Sequence, residues 1–466
     1  MSVACVQHVA RNAINKGWWR LTTACLSHPL TARRPGGRGR TAGPRGMKRT
    51  FSAILFAALS GLLAGPPAFS QSAQSQSTFD ALDADLPELR IDLGAVWLAG
   101  SDAAPSNGFL YDIDAELVIE TFTDAGRRWG IVLGGRVEHD TGRRGWGGPV
   151  GDCPPGTADC AQVMVDGTVR AVRAGSSGFQ SAVAEPGDGT RIAVQSGYGF
   201  LDIGWGELRA GYGAGAADLD PERGPTAFRL SRADGGRVDL TGLSGARTRN
   251  LSSGSAPKIV FRSIAIGQSS SVGSVRIASS FTPRVRDCGV DHCAWGAGPA
   301  GLASPVFDNV WEMGVRYEIL RGENEFAFSL GLSEGAETSG VSGFAGLSTQ
   351  DAGFRWTRGP VSAGARWLLS NNGLAADGAY QAWSVSAAYE QGAWLTALEL
   401  ARFSDDLVHV DGQTLQLSAS RLIGERWVFG GGIQSASRDE PVITPSGRRQ
   451  NRLSGIAIFA ELGWQF

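Results

Sequence analysis

Long stretches of the chain alternate apolar and polar residues with a period of two, and this pattern constrains the fold more than any other feature. In 310–320, V-W-E-M-G-V-R-Y-E-I-L, large apolar residues occupy every second position, with Glu, Gly or Arg between them. Successive side chains of a β-strand point to opposite faces, so such a segment predicts a strand with one apolar and one polar face. Similar segments recur at 89–100, 111–122, 128–140, 325–334, 361–370, 380–390, 393–403, 413–422, 427–436 and 452–466.

The connections between these segments alternate between short and long. Residues 124–127 and 391–392 are short, Gly-containing turns, whereas 141–188, 214–256 and 437–451 are long. Short turns at one end and long loops at the other are typical of an antiparallel up-and-down barrel. The sequence therefore predicts an all-β fold of about sixteen strands, fourteen and eighteen being left open, with both termini on the short-turn side.

The apolar face of such a barrel turns either inward, as in soluble proteins, or outward into lipid. Sixteen strands enclose a space too wide for side chains to fill, which excludes a close-packed apolar interior. Tryptophan recurs beside the short turns, as expected of an aromatic girdle at a membrane interface: Trp129, Trp205, Trp356, Trp394, Trp427 and Trp464. The pattern thus favours a transmembrane β-barrel with a polar interior.

The N-terminal part of the chain reads as a targeting region. Residues 1–46 are rich in Arg and contain no acid, and 47–70 combine a basic start, an apolar run and a small-residue cleavage site after Ser70. Residues 47–70 are therefore expected to be a signal peptide and 1–46 a misassigned extension, a transit peptide or cytosolic extension being the alternative. We expect 71–88 to be a periplasmic lead and 89–466 the barrel.

Charge and cysteine content bound the partners further. Beyond residue 70 the chain has 33 basic and 45 acidic residues, a formal charge of −12, which disfavours binding of nucleic acid through its phosphates. Cys153 with Cys160 and Cys288 with Cys293 lie in Gly-, Pro- and Asp-rich stretches, where exported chains form local disulfides. A zinc site is the alternative, but it would require the two pairs to meet.

The sequence resembles the trimeric sixteen-stranded porins of Gram-negative bacteria, in their alphaproteobacterial branch. G-E-L-R-A-G-Y at 206–212 is similar to the family's fifth strand, and R-T-R-N-L-S-S-G-S-A-P-K-I-V-F-R-S at 247–263 to the stretch that opens its sixth. L-G-W-Q-F at the end resembles the family's closing strand, and the resemblance spans 71–466. It implies an outer-membrane homotrimer through which small hydrophilic solutes and ions diffuse passively.

The resemblance also implies that the third long loop, about 214–256, folds into the barrel and narrows it. We expect acids on this loop to face bases on the wall, creating a transverse field that orders water. The loop acids are Asp218, Asp220, Glu222, Asp234 and Asp239, and the inward-phase wall bases are Arg90, Arg136, Arg209, Arg316 and Arg366. Because the loop also carries six arginines, ion preference is not fixed by the sequence.

Other functions fit the sequence less well. A substrate-selective porin for sugar or phosphate shares the architecture, as does an adhesin that displays the long loops. An enzyme is disfavoured, because none of the three histidines beyond residue 70 lies in a nucleophile motif. No cofactor is expected, although the carboxylates at 218, 220 and 222 leave structural calcium open. In the resembled family, an ending such as Leu462, Trp464 and Phe466 presents the last strand to the barrel-assembly machinery.

Overall fold

The computed structural model describes residues 5–8, 22–25, 87–99, 108–140, 162–165, 168–172, 174–179, 190–269, 272–286, 303–375, 378–444 and 447–465. It divides into two units, Met1–Phe79 and Asp80–Phe466. In the first unit, Cys5–His8 pairs antiparallel with Thr22–Cys25. The expected signal peptide, the four cysteines of the expected disulfides and Phe466 lie outside the described residues.

The second unit is built from sixteen barrel strands, numbered here β1–β16. They are Glu88–Ala99, Phe109–Phe122, Arg128–His139, Thr190–Asp202, Gly206–Gly213, Ala256–Ser263, Gly273–Arg286, Val306–Arg321, Asn324–Glu337, Leu347–Arg358, Val361–Ser370, Tyr380–Gln391, Trp394–Asp405, Val410–Ile423, Trp427–Thr444 and Gly447–Gln465. A short strand, Ile266–Ser269, continues β6 and pairs with β7.

Each barrel strand pairs antiparallel with the next, and the sheet closes on itself. The closing contact joins β16 to β1, with Ile458 opposite Ala99 and Trp464 opposite Leu93. The predicted all-β, up-and-down barrel of sixteen strands is therefore confirmed. Within the described residues, no helix has the length and apolarity needed to cross a membrane.

The strands present their apolar rows outward. On β14 and β15, Leu415, Leu417 and Ile433 keep about half of their surface exposed, whereas the neighbouring Gln416 and Gln434 are buried. Apolar residues exposed on the outside of a barrel and polar residues buried on the inside are the arrangement that lipid favours. The tryptophans predicted to lie beside the short turns do so, as shown by Trp427 at the start of β15 opposite Trp464 near the end of β16.

The expectation of a long loop at 437–451 is wrong. β15 continues to Thr444 and β16 begins at Gly447, with Asp439 opposite Arg452 and Pro441 opposite Gln450. Both faces of this part of the hairpin carry polar residues, so it lacks the two-sided contrast that reveals a strand in the sequence. Pairing with the neighbouring strand of the hairpin holds it extended instead.

A segment of the β3–β4 connection crosses the end of the barrel that carries the long loops. Ser176 and Ser177 donate backbone hydrogen bonds to Oδ1 of Asn372, at 3.2 and 2.9 Å, and Asn372 lies between β11 and β12. Phe179 packs against Phe403 of β13, with ring centroids 5.6 Å apart. Because β3 and β11 are eight strands apart in a sixteen-strand barrel, this segment connects opposite walls.

Candidate functional site

The loop between β5 and β6, residues 214–255, lies inside the barrel; we call it the constriction loop. Its backbone amides donate to inward-facing side chains, including Ala216 to Ser280 at 3.0 Å, Glu222 to Ser329 at 2.8 Å and Ser231 to Glu461 at 2.9 Å. Ser280 is on β7, Ser329 on β9 and Glu461 on β16, so the loop passes along much of the inner wall. A polar loop inside a barrel needs such partners, because buried backbone groups without them are costly.

Glycines on the wall allow the loop to approach the strands closely. A Cβ at Gly353 of β10 would lie 2.5 Å from the carbonyl oxygen of Glu222, and one at Gly364 of β11 would lie 2.6 Å from Cα of Gly224. Real Cβ atoms essentially never come this close to backbone. The two glycines therefore form a seat for the loop near residues 222–224.

Replacing Gly364 with valine is expected to displace the constriction loop, because neither backbone can accommodate the added side chain. The open-channel conductance of the purified protein in planar bilayers should rise, and its thermal unfolding temperature should fall. Gly197→Val is the matched control, since a Cβ there would approach nothing closer than 4.0 Å. An unchanged conductance in Gly364→Val, with the fold intact, would contradict this seating role.

Three acids at the start of the loop each contact a different arginine. Asp218 accepts from Nε of Arg249 at 2.7 Å, Asp220 from Nε of Arg262 at 2.8 Å, and Glu222 lies 2.6 Å from Nη2 of Arg316. Arg262 and Arg316 belong to β6 and β8, whereas Arg249 belongs to the loop itself. Within the described residues, no group of three His, Cys, Asp or Glu side chains is arranged to hold a metal ion.

Glu222 has the least exposed side chain of these three acids. It faces Arg355 of β10 as well as Arg316, with Oε2 3.3 Å from Nε of Arg355. Burial raises the pKa of Glu222, and the two guanidinium groups act in the opposite direction. Burial outweighs the two cations, so the pKa of this carboxylate lies above that of an exposed glutamate.

On the other side of the barrel the loop carries the basic groups and the wall carries the acidic ones. Arg229 and Arg237 of the loop approach Asp112 and Asp114 of β2, with Arg229 Nη1 3.2 Å from Asp114 Oδ2 and Arg237 Nη1 3.6 Å from Asp112 Oδ1. Asp92 of β1 lies 3.7 Å from Arg229. These partners were not predicted as site residues, although their alternation on β2 was visible in the sequence.

Three of the five wall arginines proposed from the sequence contact the loop. Arg366 donates to the carbonyls of Glu222 and Thr248 at 2.7 and 2.8 Å and contacts Asp351 at 2.6 Å. Arg316 contacts Glu222, and Arg136 donates to the carbonyl of Arg237 at 3.4 Å.

The other two wall arginines contact neighbouring residues of the wall. Arg209 on β5 pairs with Glu207 at 2.5 Å and lies over the ring of Tyr198. Arg90 on β1 pairs with Glu88 at 2.8 Å and keeps 57% of its side chain exposed. Neither has a contact with the loop among the interactions of the described residues. The inward phase of a strand thus identifies lumen residues without showing how far along the barrel each one lies.

The remaining two predicted loop acids shape the loop itself. Asp234 accepts from the amide of Thr248 at 3.0 Å and from Oγ of Ser384 at 2.6 Å. Asp239 accepts from the amides of Gly242 and Ser244 at 2.9 and 3.3 Å, and its own amide donates to Asp140. Asp234 thereby links distant parts of the loop and attaches it to β12, and Asp239 folds its tip.

Sequence reasoning missed the polar residues that hold the far side of the loop. Glu461 accepts from the amide of Leu230 at 3.0 Å, and Gln416 donates to the carbonyl of Ser231 at 2.8 Å. Glu399 accepts from Oγ1 of Thr226 at 2.7 Å, and Gln434 donates to Gln416 at 2.7 Å. All four lie in the inward phase, each next to at least one outward-facing leucine or isoleucine, which is the signal that would have identified them.

The guanidinium groups between β5 and β10 remain partly exposed and so border water. Arg209, Arg262, Arg276, Arg316 and Arg355 keep between 20 and 36% of their side chains exposed. A closed barrel with an apolar outside, a charged inside and a loop attached across its interior can pass polar solutes and restrict their size. The fold and the site together define a channel-type transmembrane barrel.

Comparison with known proteins gives likenesses of fold. No family model and no curated protein sequence matches the chain. The anion-selective porin from Comamonas acidovorans matches at 11% identity and a TM-score of 0.45, covering 82% of this chain and 100% of that one. A mutant of Rh. blastica porin matches at 13% identity and a TM-score of 0.42, with the same coverage. At such low identity and TM-score, neither likeness determines what this chain does.

Proposed function

We propose that the chain is an outer-membrane porin through which small hydrophilic solutes and ions diffuse passively. The observation that carries this proposal is the constriction loop, which is bonded to the inner wall and bordered by partly exposed charges. A loop bonded to the wall at this many points narrows the passage to a fixed size. The outward apolar rows and the tryptophans at the short-turn ends support insertion into an outer membrane.

The charges along the passage explain how polar solutes would be favoured. Ion pairs join the loop to the wall on both sides of the barrel. Glu222 of the loop pairs with Arg316 of the wall, and Arg229 of the loop pairs with Asp114 of the wall. Fixed groups of both signs orient water and small dipolar solutes, whereas an apolar solute must displace that water without replacing its hydrogen bonds. Diffusion of this kind needs neither a reaction nor an energy source.

A channel explains the geometry better than a catalyst does. The buried polar side chains whose contacts are described above bond to the loop backbone or to one another, so each has a structural task. A sugar- or phosphate-selective porin remains the second candidate, because the arginines along the loop and wall could select among solutes. The fold and the internal loop are common to both candidates.

The resemblance in sequence further supports a homotrimer inserted by the barrel-assembly machinery. Leu462 and Trp464, which carry part of this resemblance, lie on β16, the strand that closes the barrel against β1. Chemical cross-linking in intact outer membranes would test the trimer, and accumulation of a variant lacking Phe466 in the periplasm would test the assembly role.

Planar-bilayer recording is the direct test of the proposed function. Purified protein is expected to insert with discrete conductance steps in KCl, in groups of three if the protein is a trimer. A reversal potential under a salt gradient should give the ion preference. Correctly folded protein that inserts without conducting would contradict the proposal, and protein denatured by heating serves as the control.

A further inference from the structure

Arg223 of the constriction loop differs from the other arginines around it. Arg249 contacts Asp218, Arg316 contacts Glu222, and Arg366 contacts Asp351. Among the described residues no carboxylate pairs directly with Arg223, and only the charge of Asp218, which itself pairs with Arg249, acts in its favour. It is only partly exposed, so water does not fully solvate its charge. A partly buried cation without a paired anion is energetically unfavourable, and a bound anion would stabilise it.

The fold brings other cations to Arg223. Arg366 donates to the carbonyls of Glu222 and Thr248 and so joins the two limbs of the loop. The next residue on each limb is an arginine, Arg223 on one and Arg249 on the other. Arg249 and burial both lower the pKa of Arg223, which means that the neighbouring guanidinium destabilises its charged form. The two side chains therefore share one region of the loop.

Arg232 supplies a second, independent observation. Its Nη2 donates to the carbonyl of Gly224 at 3.3 Å, directly after Arg223. Its Nε is buried, and within the described residues it has no hydrogen-bond partner. A buried guanidinium donor without an acceptor is costly, and an anion that accepted from it would remove that cost.

Acids in the same region compensate only part of this charge. Asp218 contacts Arg249, Asp351 contacts Arg366, and Asp234 accepts from Thr248 and Ser384. Glu399 lies near Arg232, but its carboxylate accepts from Thr226, Ala233 and Gln416. Each of these acids thus has a partner of its own, whereas among the described residues Arg223 has no ion pair and Nε of Arg232 has no acceptor.

We propose that Arg223 and Arg232, with Arg249 beside them, form a binding site for a small oxyanion at the constriction loop. Guanidinium groups match the spacing of phosphate and carboxylate oxygens, and a bound anion would stabilise the charged form of Arg223 that Arg249 and burial destabilise. The inference rests on the proposed function and deepens it, because it places a binding step for phosphate- or carboxylate-bearing solutes within the passage. All three arginines belong to the constriction loop, so the loop itself, rather than the opposite wall, is the anion-binding element.

The first test measures binding without conduction. Calorimetric titration of the purified full chain in detergent with inorganic phosphate should show saturable binding, and Arg223→Gln should weaken it at least tenfold. Arg128→Gln removes a charge that already contacts Glu120 and Glu207 at the short-turn end, so it should leave binding unchanged. Arg223→Lys keeps the charge and should retain part of the affinity, which separates loss of the site from a folding defect. Absence of binding to the wild type, or equal binding by Arg223→Gln, would overturn the proposal.

The second test connects the site to transport. Phosphate added to KCl should reduce the wild-type conductance in a saturable way, and Arg223→Gln should require at least tenfold more phosphate for the same reduction. Phosphate binding by a protein that passes no current would support the site and contradict the porin. Normal conductance without any phosphate effect would contradict the site and leave the porin intact.

Discussion

Replacing Arg366 with leucine is expected to destabilise the protein and to release the constriction loop. The guanidinium is 1% exposed and holds Asp351, the carbonyl of Glu222 and the carbonyl of Thr248 together. Removing one partner of a buried ion pair leaves the other charge uncompensated, which costs about 3–5 kcal/mol. The free energy of unfolding in urea should fall by about that amount, and the single-channel conductance should rise.

A double variant separates the two effects. Arg366→Leu combined with Asp351→Leu removes both charges, so most of the lost stability should return. The conductance should stay high, because the carbonyls of Glu222 and Thr248 still lack their donor. Arg358→Leu, which removes an exposed contact with Glu323 at 3.5 Å, is the control and should change neither property. If Arg366→Leu unfolds like the wild type and conducts like it, the bridging role is refuted.

The second large effect is expected at Glu222. Glu222→Gln leaves Arg316 and Arg355 without their loop carboxylate and so makes the passage locally more positive. A unit charge about 4 Å from an ion is worth about 1 kcal/mol in water, so the anion-to-cation permeability ratio should rise about three- to fivefold. The reversal potential in a KCl gradient measures this ratio directly.

Acidification should act in the same direction on the wild type. Because burial raises the pKa of Glu222, its carboxylate takes up a proton earlier as the pH falls from 7 than an ordinary exposed glutamate does. Protonation removes the negative charge, so the permeability ratio should shift towards anions, and Glu222→Gln should lack this part of the shift. Glu325→Gln, at a carboxylate 48% exposed and 3.6 Å from Arg355, should keep it. A wild-type ratio independent of pH would argue against control by Glu222.

The barrel was predictable because its physics is local to each strand. A strand between lipid and a polar interior must alternate, and the contrast within segments such as Val306–Arg321 therefore survives in the sequence. Short Gly-containing turns and tryptophans at one end gave the strand direction as well. Where both faces of a strand carry polar residues, as at Asp439, Glu440 and Asn451, the contrast vanishes and the sequence predicts a loop instead of a strand.

The partners within the site depend on information that alternation does not contain. Which arginine meets Asp220 is decided by the path of the loop, and that path depends on the glycines at 353 and 364 and on acceptors as distant as Glu461. Arg262 and Arg276 contact Asp220 because their strands pass this part of the loop, while Arg90 lies near an end of the barrel. The alternation along a strand shows which side chains face the interior of the barrel. Only the three-dimensional path of the loop shows which of them pair with it.

The many attachments of the constriction loop also have a mechanical consequence. A hollow cylinder of strands yields most readily when it is squeezed into an oval, since bending its wall breaks no hydrogen bond. The loop is hydrogen-bonded to β9 and β11 through Ser329 and Arg366 and to β16 through Glu461. It therefore links distant parts of the wall across the interior and resists such a deformation. Where the loop is packed and hydrogen-bonded against the wall, it transmits strain between the strands that it joins. The segment that narrows the passage therefore also keeps the cross-section of the barrel constant. A constant cross-section should give an open-channel current with little noise.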